Sequence, residues 1–358
     1  MKTQVFFAKV AENEKADATR GKIARLFDAA AFADCIAPKD LVAIKIHFGE
    51  KGNEGQIDPQ LARAVSEKIK ALKARPFFTD TNTLYAGQRS NSHDHLMVAA
   101  QHGYSIEKLG APVIIADGLK GRNQIDVQIS GGKHFKTVRI APDFLVADAM
   151  AALTHATGHL AAGYGGAIKN VGMGCAARAG KLAQHSDIMP EIIKKKCTGC
   201  GTCVKWCPEH AVAIVEKKAQ INQSLCISCG ECLAVCKSGA VKYTWGNKSA
   251  TLGERIAEHA LGALKDKTGK CIFMNFVVKF TRDCDCMPQK LKRMIPDLGI
   301  LASKDIVAID RASIDLINKA AGKDIFKEMT PRLDYMAQVA HAESLGLGSQ
   351  DYDLVEIP

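Results

Sequence analysis

Two cysteine runs with the same spacing constrain this chain more than any other feature of its sequence. Each run follows the pattern C-x2-C-x2-C-x3-C. The first run consists of Cys197, Cys200, Cys203 and Cys207, and the second of Cys226, Cys229, Cys232 and Cys236. The similarity continues past the cysteines, since Ala-Val follows both runs at the same distance. The segment is therefore an internal duplication, and each half is predicted to contain a cysteine loop, a short helix and a strand.

This spacing is typical of 4Fe–4S clusters. The first three cysteines of a run have two residues between neighbours, so that the backbone wraps around one cubane cluster and all three thiolates bind it. The fourth cysteine of each run ligates the other cluster. The predicted ligands are therefore Cys197, Cys200, Cys203 and Cys236 for cluster one, and Cys226, Cys229, Cys232 and Cys207 for cluster two. A pair of zinc sites is the alternative. Zinc takes four ligands, usually from two C-x2-C pairs, and would leave four of the eight cysteines without a role.

The rest of the composition is that of an ordinary globular chain. Its 358 residues, 47% of them hydrophobic, are enough for about two domains with cores of their own. No run of about 18 apolar residues is present, and the N-terminus does not resemble a secretory signal. We therefore expect a cytoplasmic protein without a membrane span, in which clustered cysteines indicate metal binding rather than disulfides.

The net charge of +10 raises the question of nucleic-acid binding. The excess is concentrated around the cysteines, because residues 191–248 hold 9 Lys and 4 Glu. A basic rim beside a metal site suits an acidic protein at least as well as a nucleic acid. We expect an acidic redox partner protein and no nucleic acid.

On both sides of the cysteine block, strand-like segments alternate with helix-like ones, a pattern typical of an α/β fold with a mainly parallel sheet. Short apolar runs of buried-strand type occur at residues 41–47, 76–80, 112–116, 150–154 and 271–278. Residues 305–310 are predicted as another strand, followed by a helix over 312–321. Residues 124–141 are predicted as a strand pair, and Asp58-Pro59 opens a predicted helix over 61–72.

The simplest domain organisation is one α/β body that carries the cysteine block as an insertion. The body would consist of residues 1–190 and 249–358, and the insertion, a bacterial-type two-cluster ferredoxin domain, of residues 191–248. Three independent domains are the alternative, but 110 C-terminal residues with few strands would form a thin core.

Ligands of open α/β sheets bind beyond the C-terminal ends of the strands, so the loops there are expected to contain the site residues. Asp80 and Asn82 belong to four consecutive polar residues after one predicted strand, where an Asx-type turn is the structural alternative. Cys284 and Cys286 form a C-x-C motif flanked by acids, which can chelate a metal or lie in a turn. Cys35 and Cys271 lie in apolar contexts and are predicted to be buried.

A glycine-rich stretch over residues 155–175 follows another predicted strand. Because glycine has no side chain, the backbone N–H groups of such a stretch can converge on an anion or a flat cofactor. Its candidate residues are His155, His159, Gly165, Gly166, Lys169, Asn170 and Cys175. A lone histidine there would more often be structural, but with a lysine and a cysteine in the same loop the functional interpretation is favoured. We predict an unidentified second cofactor or metal near Lys169.

Several motifs resemble those of the family called domain of unknown function 362, in the form that carries a two-cluster ferredoxin insert. The matching stretches are residues 45–50, 80–85, 165–170, 172–177, 283–286 and 297–305. They are spread over most of the chain. The resemblance implies the fold and the iron–sulfur clusters of that family. It does not imply a reaction, because none is settled for the family.

The order and separation of His159, Lys169 and His185 are similar to those in the nickel-pincer lactate racemase family. That resemblance implies a shared two-part α/β fold, a pincer nucleotide tethered to Lys169 and a nickel ligand at His185. It also implies that His93 and His159 exchange the substrate proton. Those racemases carry no ferredoxin insert, which separates them from this chain.

Three functional hypotheses follow. The first is an iron–sulfur oxidoreductase that passes electrons through two clusters to or from a small-molecule substrate or cofactor in the α/β body. The second is an electron carrier whose α/β body only docks partners. The third is a racemase or isomerase with a nickel-pincer cofactor, in which the clusters are structural or regulatory.

Overall fold

The computed structural model describes residues 2–84, 87–185, 190–207, 209–226, 231–242 and 249–358. Its strands, in chain order, are β1 (Thr3–Lys9), β2 (Leu41–Lys45), β3 (Arg75–Asp80), β4 (Val113–Ile115), β5 (Ile125–Gln128), β6 (Thr137–Ile140), β7 (Ala149–His155), β8 (Thr157–His159), β9 (Gly163–Gly165), β10 (Glu191–Ile192), β11 (Val212–Val215), β12 (Lys218–Ile221), β13 (Val241–Lys242), β14 (Cys271–Val277), β15 (Gly299–Ser303) and β16 (Tyr352–Ile357).

Helices flank most of these strands. In chain order they are α1 (Ala16–Ala29), α2 (Pro59–Ala71), α3 (Ser92–Gln101), α4 (Ile106–Leu109), α5 (Pro142–Val146), α6 (Ala167–Gly172), α7 (Arg178–His185), α8 (Thr202–Lys205), α9 (Glu231–Val235), α10 (Ser249–Ala263), α11 (Ile306–Ala321), α12 (Ile325–Met329) and α13 (Ala337–Ser344). None of the helices described combines the length and the apolar character that crossing a bilayer requires.

A central eight-stranded sheet organises the α/β body, in the order β16-β1-β15-β14-β7-β2-β3-β4. Neighbouring strands are parallel except on either side of β15, which runs antiparallel to both β1 and β14. The prediction of a mainly parallel α/β sheet is therefore confirmed. Strands from before and after the cysteine block lie side by side, since β14 pairs with β7.

The sheet has an apolar core on each face. On one face, α1 and α2 pack with Ile23, Phe27, Val65 and Ile69, all 0–1% exposed. On the other, α6, α10, α11 and α13 cover the sheet. Burial on both faces explains why the central strands are continuous apolar runs rather than alternating ones.

Local signals in the sequence account for where several helices and strands begin and end. Asp58 caps α2 by accepting a hydrogen bond from the N–H of Gln60 at 2.8 Å, and Pro59 occupies the first turn, where no N–H is needed. The strand pair predicted within residues 124–141 is the antiparallel pair β5–β6. These elements agree with the predictions made from sequence.

The strand predicted at residues 305–310 is wrong, because this segment forms the first turns of α11. Asp305 caps that helix, and its Oδ1 accepts the N–H groups of Val307 and Ala308 at 2.8 Å each. The helix is apolar on most of its surface because it is buried, and a short apolar run does not distinguish a buried strand from a buried helix. The neighbouring strand is β15, which the sequence analysis missed.

The cysteine block forms a small unit with its own packing. Its ends pair as β10 and β13, and β11 pairs with β12. Each half contains the predicted short helix and strand, α8 with β11 and α9 with β13. A separate apolar cluster that includes Val212, Ala219 and Val241 lies within this unit.

Candidate functional site

A cavity of about 160 Å³ opens at the C-terminal ends of the parallel strands, where open α/β sheets bind ligands. Lys45, Asp80 and His155 end β2, β3 and β7, and all three line it. The loop after β14 closes one side. The candidate residues from the sequence that line this cavity are Asp80, His155, His159, Gly165, Gly166, Lys169, Asn170, His185, Cys284 and Cys286.

Three candidate residues lie elsewhere. Asn82 is fully buried and donates a hydrogen bond to Asp117 at 2.8 Å, which is a structural role. Cys175 is fully buried in the core, where burial raises the pKa of its thiol to about 12. His93 lies on the surface of α3 with 75% of its side chain exposed, next to Asp94.

Three cationic residues of the cavity were missed in the sequence. Lys45 and Lys181 line it with Arg89, and all three are buried. Lys45 lies close to the end of the strand predicted over residues 41–47, which was a usable signal. Arg89 and Lys181 carried none, because their place in the cavity depends on contacts with residues far away in the chain.

Asp80 is the acidic partner of two cations that line the cavity, Lys45 and Arg89. Its Oδ1 lies 3.1 Å from Lys45 Nζ, and its Oδ2 lies 3.6 Å from Arg89. Burial favours the neutral acid, but Lys45, His95 and Arg89 outweigh burial, so the pKa of Asp80 is lowered. Lys45 also donates to Asn170 Oδ1 at 2.7 Å, which orients that amide.

Lys169, which is half-buried, and Lys181, which is buried, both have lowered pKa values. Burial, together with the charges of Lys45 and Arg89, lowers the pKa of Lys169 to about 8. Burial also lowers the pKa of Lys181 to about 8, although Asp117 and Asp80 oppose this. A lysine in this range is partly a neutral amine near neutral pH, which makes it a nucleophile or a proton acceptor.

The histidines of the cavity differ in protonation. Burial, with the charge of Lys169, lowers the pKa of His159 well below its usual range and that of His185 to about 4. Both rings are therefore neutral at pH 7. Burial also disfavours charge on His155, but Asp285 Oδ2, 2.8 Å from its Nδ1, prevails and raises the pKa of His155.

Asp310 on α11 holds the helix that presents Lys169. Its two oxygens accept the N–H groups of Ala167 at 2.7 Å and Ile168 at 2.9 Å, so it caps α6 from a distant part of the chain. A Cβ on Gly166 would lie 2.3 Å from Asp310 Oδ1, so this position requires glycine. Glycine at position 166 therefore allows the start of α6 to lie close to Asp310 of α11.

The loop after β14 presents Cys284 and Cys286 to the cavity, joined as a disulfide. Both sulfurs lie within 4.8 Å of a ring nitrogen of His159. Gly158, the residue before this histidine, packs against the loop so closely that a Cβ would lie 2.2 Å from the Arg282 carbonyl oxygen. The metal site predicted at the two cysteines stays a prediction.

A second, smaller cavity of about 20 Å³ lies in the cysteine unit. It is lined by all four cysteines predicted to bind cluster one, Cys197, Cys200, Cys203 and Cys236. Backbone N–H groups of Ala219 and Ala240 donate to the sulfurs of Cys197 and Cys236 at 3.3 and 3.2 Å. Such hydrogen bonds are typical of cluster thiolates, so these residues fit a 4Fe–4S cluster.

The ligand set predicted for cluster two is described only in part. Cys229 lies outside the described residues. Cys207 accepts a hydrogen bond from the N–H of Ala211 at 3.1 Å, which matches the contact at Cys236 in the other half. Cys226 is half-buried and Cys232 is buried.

The model of one protein family, described as a domain of unknown function (DUF362), matches residues 42–315. The chain belongs to the DUF362 family. The match includes the cysteine unit and every residue named so far as lining the larger cavity. A comparison with curated proteins finds no match for this DUF362 protein.

Two solved structures resemble this DUF362 protein at low sequence identity. One is the lactate racemase apoprotein from Thermoanaerobacterium thermosaccharolyticum, with 13% identity, a TM-score of 0.40 and coverage of 77% of this chain and 51% of that chain. The other is a structural genomics target from Thermotoga maritima, with 9% identity, a TM-score of 0.44 and coverage of 88% and 61%. The chain thus spans between half and two thirds of each.

Proposed function

We propose that this chain is an iron–sulfur redox protein with two 4Fe–4S clusters, which exchanges electrons with a small anionic substrate or cofactor in the larger cavity. The observation that carries the proposal is the convergence of Cys197, Cys200, Cys203 and Cys236 on one small cavity. Three of these come from the first run and one from the second, which is the exchange expected of a two-cluster unit.

The charge of the larger cavity supports an anionic ligand. Asp80 and Glu50 compensate Lys45 and Arg89, whose Nε lies 3.3 Å from Glu50. Lys169 and Lys181 add two further amines, the first half-buried and the second buried, and burial lowers the pKa of each to about 8 because it disfavours their charged forms. A bound anion would favour the protonated amines and so gain affinity from them.

A direct contact supports docking of the cysteine unit at the cavity edge of the sheet. Trp206, which lies between two cluster cysteines in the sequence, stacks under the guanidinium of Arg122 at 3.8 Å from the ring centroid. Arg122 belongs to the loop that follows β4. This loop leaves the sheet at the same edge as the loops that line the cavity.

Metal analysis of anaerobically purified protein tests this proposal. We expect about eight irons and eight sulfides per chain, with an absorbance at ~400 nm that bleaches in air. Cys200→Ser should lower the iron content, while Cys35→Ala, at a buried cysteine of the α/β body, should leave it unchanged. A chain with two zinc ions and no iron would contradict the proposal.

Substitutions in the larger cavity distinguish an enzyme from an electron carrier. In the redox enzyme that we propose, Lys169→Ala should abolish turnover without changing the iron content, because Lys169 lies in the α/β body. If Lys169→Ala and His159→Ala both leave every measured electron-transfer reaction unchanged, the protein is a carrier.

A racemase or isomerase is the second candidate, and one observation favours it. His159, Lys169 and His185, which the sequence relates to the nickel-pincer family, line the same cavity, and both histidines are neutral at pH 7. Lys169 would hold the nucleotide, His185 would hold the nickel, and His159 would exchange the substrate proton. An unmodified Lys169 by intact mass, together with no nickel, would exclude this candidate.

A further inference from the structure

Cys284 and Cys286 differ from the other cysteines outside the two runs. Both line the larger cavity and are joined as a disulfide. Cys35, Cys175 and Cys271 are buried in the apolar cores, and Cys35 and Cys271 are in contact through a thiol-to-carbonyl hydrogen bond of 3.8 Å. Among the cysteines of the described α/β body, only the C-x-C pair therefore places its sulfur where a ligand can reach it.

A stabilising role explains this disulfide poorly. The constraint that a disulfide places on the unfolded chain grows with the length of the loop it closes, and this pair is separated by 2 positions. Backbone hydrogen bonds already hold the loop, from Gly158 N–H to the Thr281 carbonyl and from Glu50 N–H to the Asp285 carbonyl, each 2.9 Å long. The loop is anchored on both sides without the sulfur–sulfur bond.

A metal held by the two sulfurs and His159 is also poorly supported. The Nδ1 atom of His159 accepts hydrogen bonds from the N–H groups of Ala161 at 3.2 Å and Ala162 at 2.9 Å. In the neutral ring, the proton is then on Nε2, so neither nitrogen has a free lone pair for a metal. His159 can offer the cavity a hydrogen-bond donor and no ligand atom.

We propose that Cys284 and Cys286 form a redox-active dithiol–disulfide couple in the cavity. Reduction breaks the sulfur–sulfur bond and forms two S–H groups, which takes two electrons and two protons. The protons come from water that enters the cavity. The two 4Fe–4S clusters that the cysteine unit would hold would supply the two electrons, one each; this source rests on the proposed function. The couple would thereby link the one-electron chemistry of the clusters to two-electron chemistry in the cavity.

The couple can be followed in one peptide of the full-length protein. Trypsin cleavage after Arg282 and Lys290 releases residues 283–290, which contain both cysteines and no other. Anaerobic protein is poised at a series of potentials with dithionite, quenched in acid, unfolded and alkylated. We expect no alkyl group on this peptide at high potential, two at low potential, and a transition with the slope of a two-electron couple.

Variants separate the couple from other thiols. Cys284→Ser should leave one alkylated cysteine at every potential, since Cys286 then has no partner, and Cys35→Ala should retain the transition unchanged. Both cysteines alkylated at all potentials in the wild-type protein would overturn the proposal. So would a stoichiometric metal whose removal by a chelator makes both thiols reactive.

Failure of the couple and failure of the clusters are distinguishable. If the chain holds no iron, dithiothreitol still reduces the couple directly, and peptide 283–290 still shows the two-electron transition. If the chain holds its iron and the alkylation of peptide 283–290 does not change with potential, the proposal of two clusters is supported. The proposal of a dithiol–disulfide couple is then wrong.

Discussion

Burial of charged groups is the main property of the side chains in the larger cavity. Lys45 and Arg89 have acidic partners within 3.6 Å, and Asp80 is shared between them. Lys169 has a pKa of about 8, because burial and two neighbouring cations oppose its charge. Lys181 has a similarly lowered pKa, so the cavity holds two amines whose charge the folded protein disfavours, and this cost is measurable through the pH dependence of stability.

We predict that the stability cost of Lys169 disappears at alkaline pH. The folded-state pKa, about 8, lies below the value of about 10.4 expected in the unfolded chain, so the cost is full below pH 8. As the pH rises from about 8 to 10.4, the wild-type protein should gain roughly 3 kcal/mol relative to Lys169→Met. Urea unfolding across this range measures the difference.

The control for this experiment is Lys292→Met, which removes an exposed lysine. Its difference from the wild-type protein should stay nearly constant over the same pH range. A constant difference for Lys169→Met as well would show that Lys169 is solvated.

Distant side chains complete several helices of this fold. The first turn of α6 has its N–H groups satisfied by Asp310 of α11, which also accepts from Asn275 of β14 at 2.8 Å. Burial raises the pKa of Asp310 to about 6 even with these donors around it. One carboxylate thus joins a helix, a second helix and a central strand, and it determines where α6 presents Lys169 to the cavity.

We predict that Asp310→Ala destabilises the protein by about 3 kcal/mol or more, because it leaves buried N–H groups without acceptors. Asp310→Asn should cost less, since one acceptor oxygen remains. Urea unfolding at pH 7.5 measures both. Asp315→Ala, at a half-exposed position on the same helix, should cost about 1 kcal/mol or less. Equal losses at both positions would contradict a specific role for Asp310.

The cysteine unit joins the rest of the protein at two nearby points of the chain. Glu191 and Lys242 face each other in the β10–β13 pair, so the unit starts and ends at one place. The strands of the α/β body pair across the insertion, and β7 with β14 is the clearest case. One body with an inserted unit, the organisation predicted from sequence, stays a prediction.

We predict that the α/β body folds without the cysteine unit. Residues 191–242 can be replaced by a short Gly-Ser linker, because paired residues of an antiparallel ladder lie only about 5 Å apart. The shortened protein should bind no iron and unfold in one cooperative thermal transition, followed by circular dichroism. Aggregation, or loss of the cooperative transition, would show that the body depends on the unit.

Local signals in the sequence were sufficient for the α/β class and most of the strands, and they predict the cluster ligands. Cluster ligands repeat at fixed spacings because one backbone loop must surround one cubane, and the cysteine-lined cavity agrees with that spacing. Apolar runs marked the buried strands because the sheet is covered on both faces. The same rule led to the error at residues 305–310, where a buried helix has the composition of a strand.

Contacts between distant residues decided the charge and shape of the larger cavity. Lys181 reaches Thr81 across 100 residues, and Asp310 reaches Ala167 across 143. His93 and Cys175 were expected in the site, but one lies on the surface of α3 and the other in the core. Spacing along the chain specifies ligands that share one loop, whereas burial and charge pairing depend on which loops the sheet brings together. Only the tertiary structure contains that information.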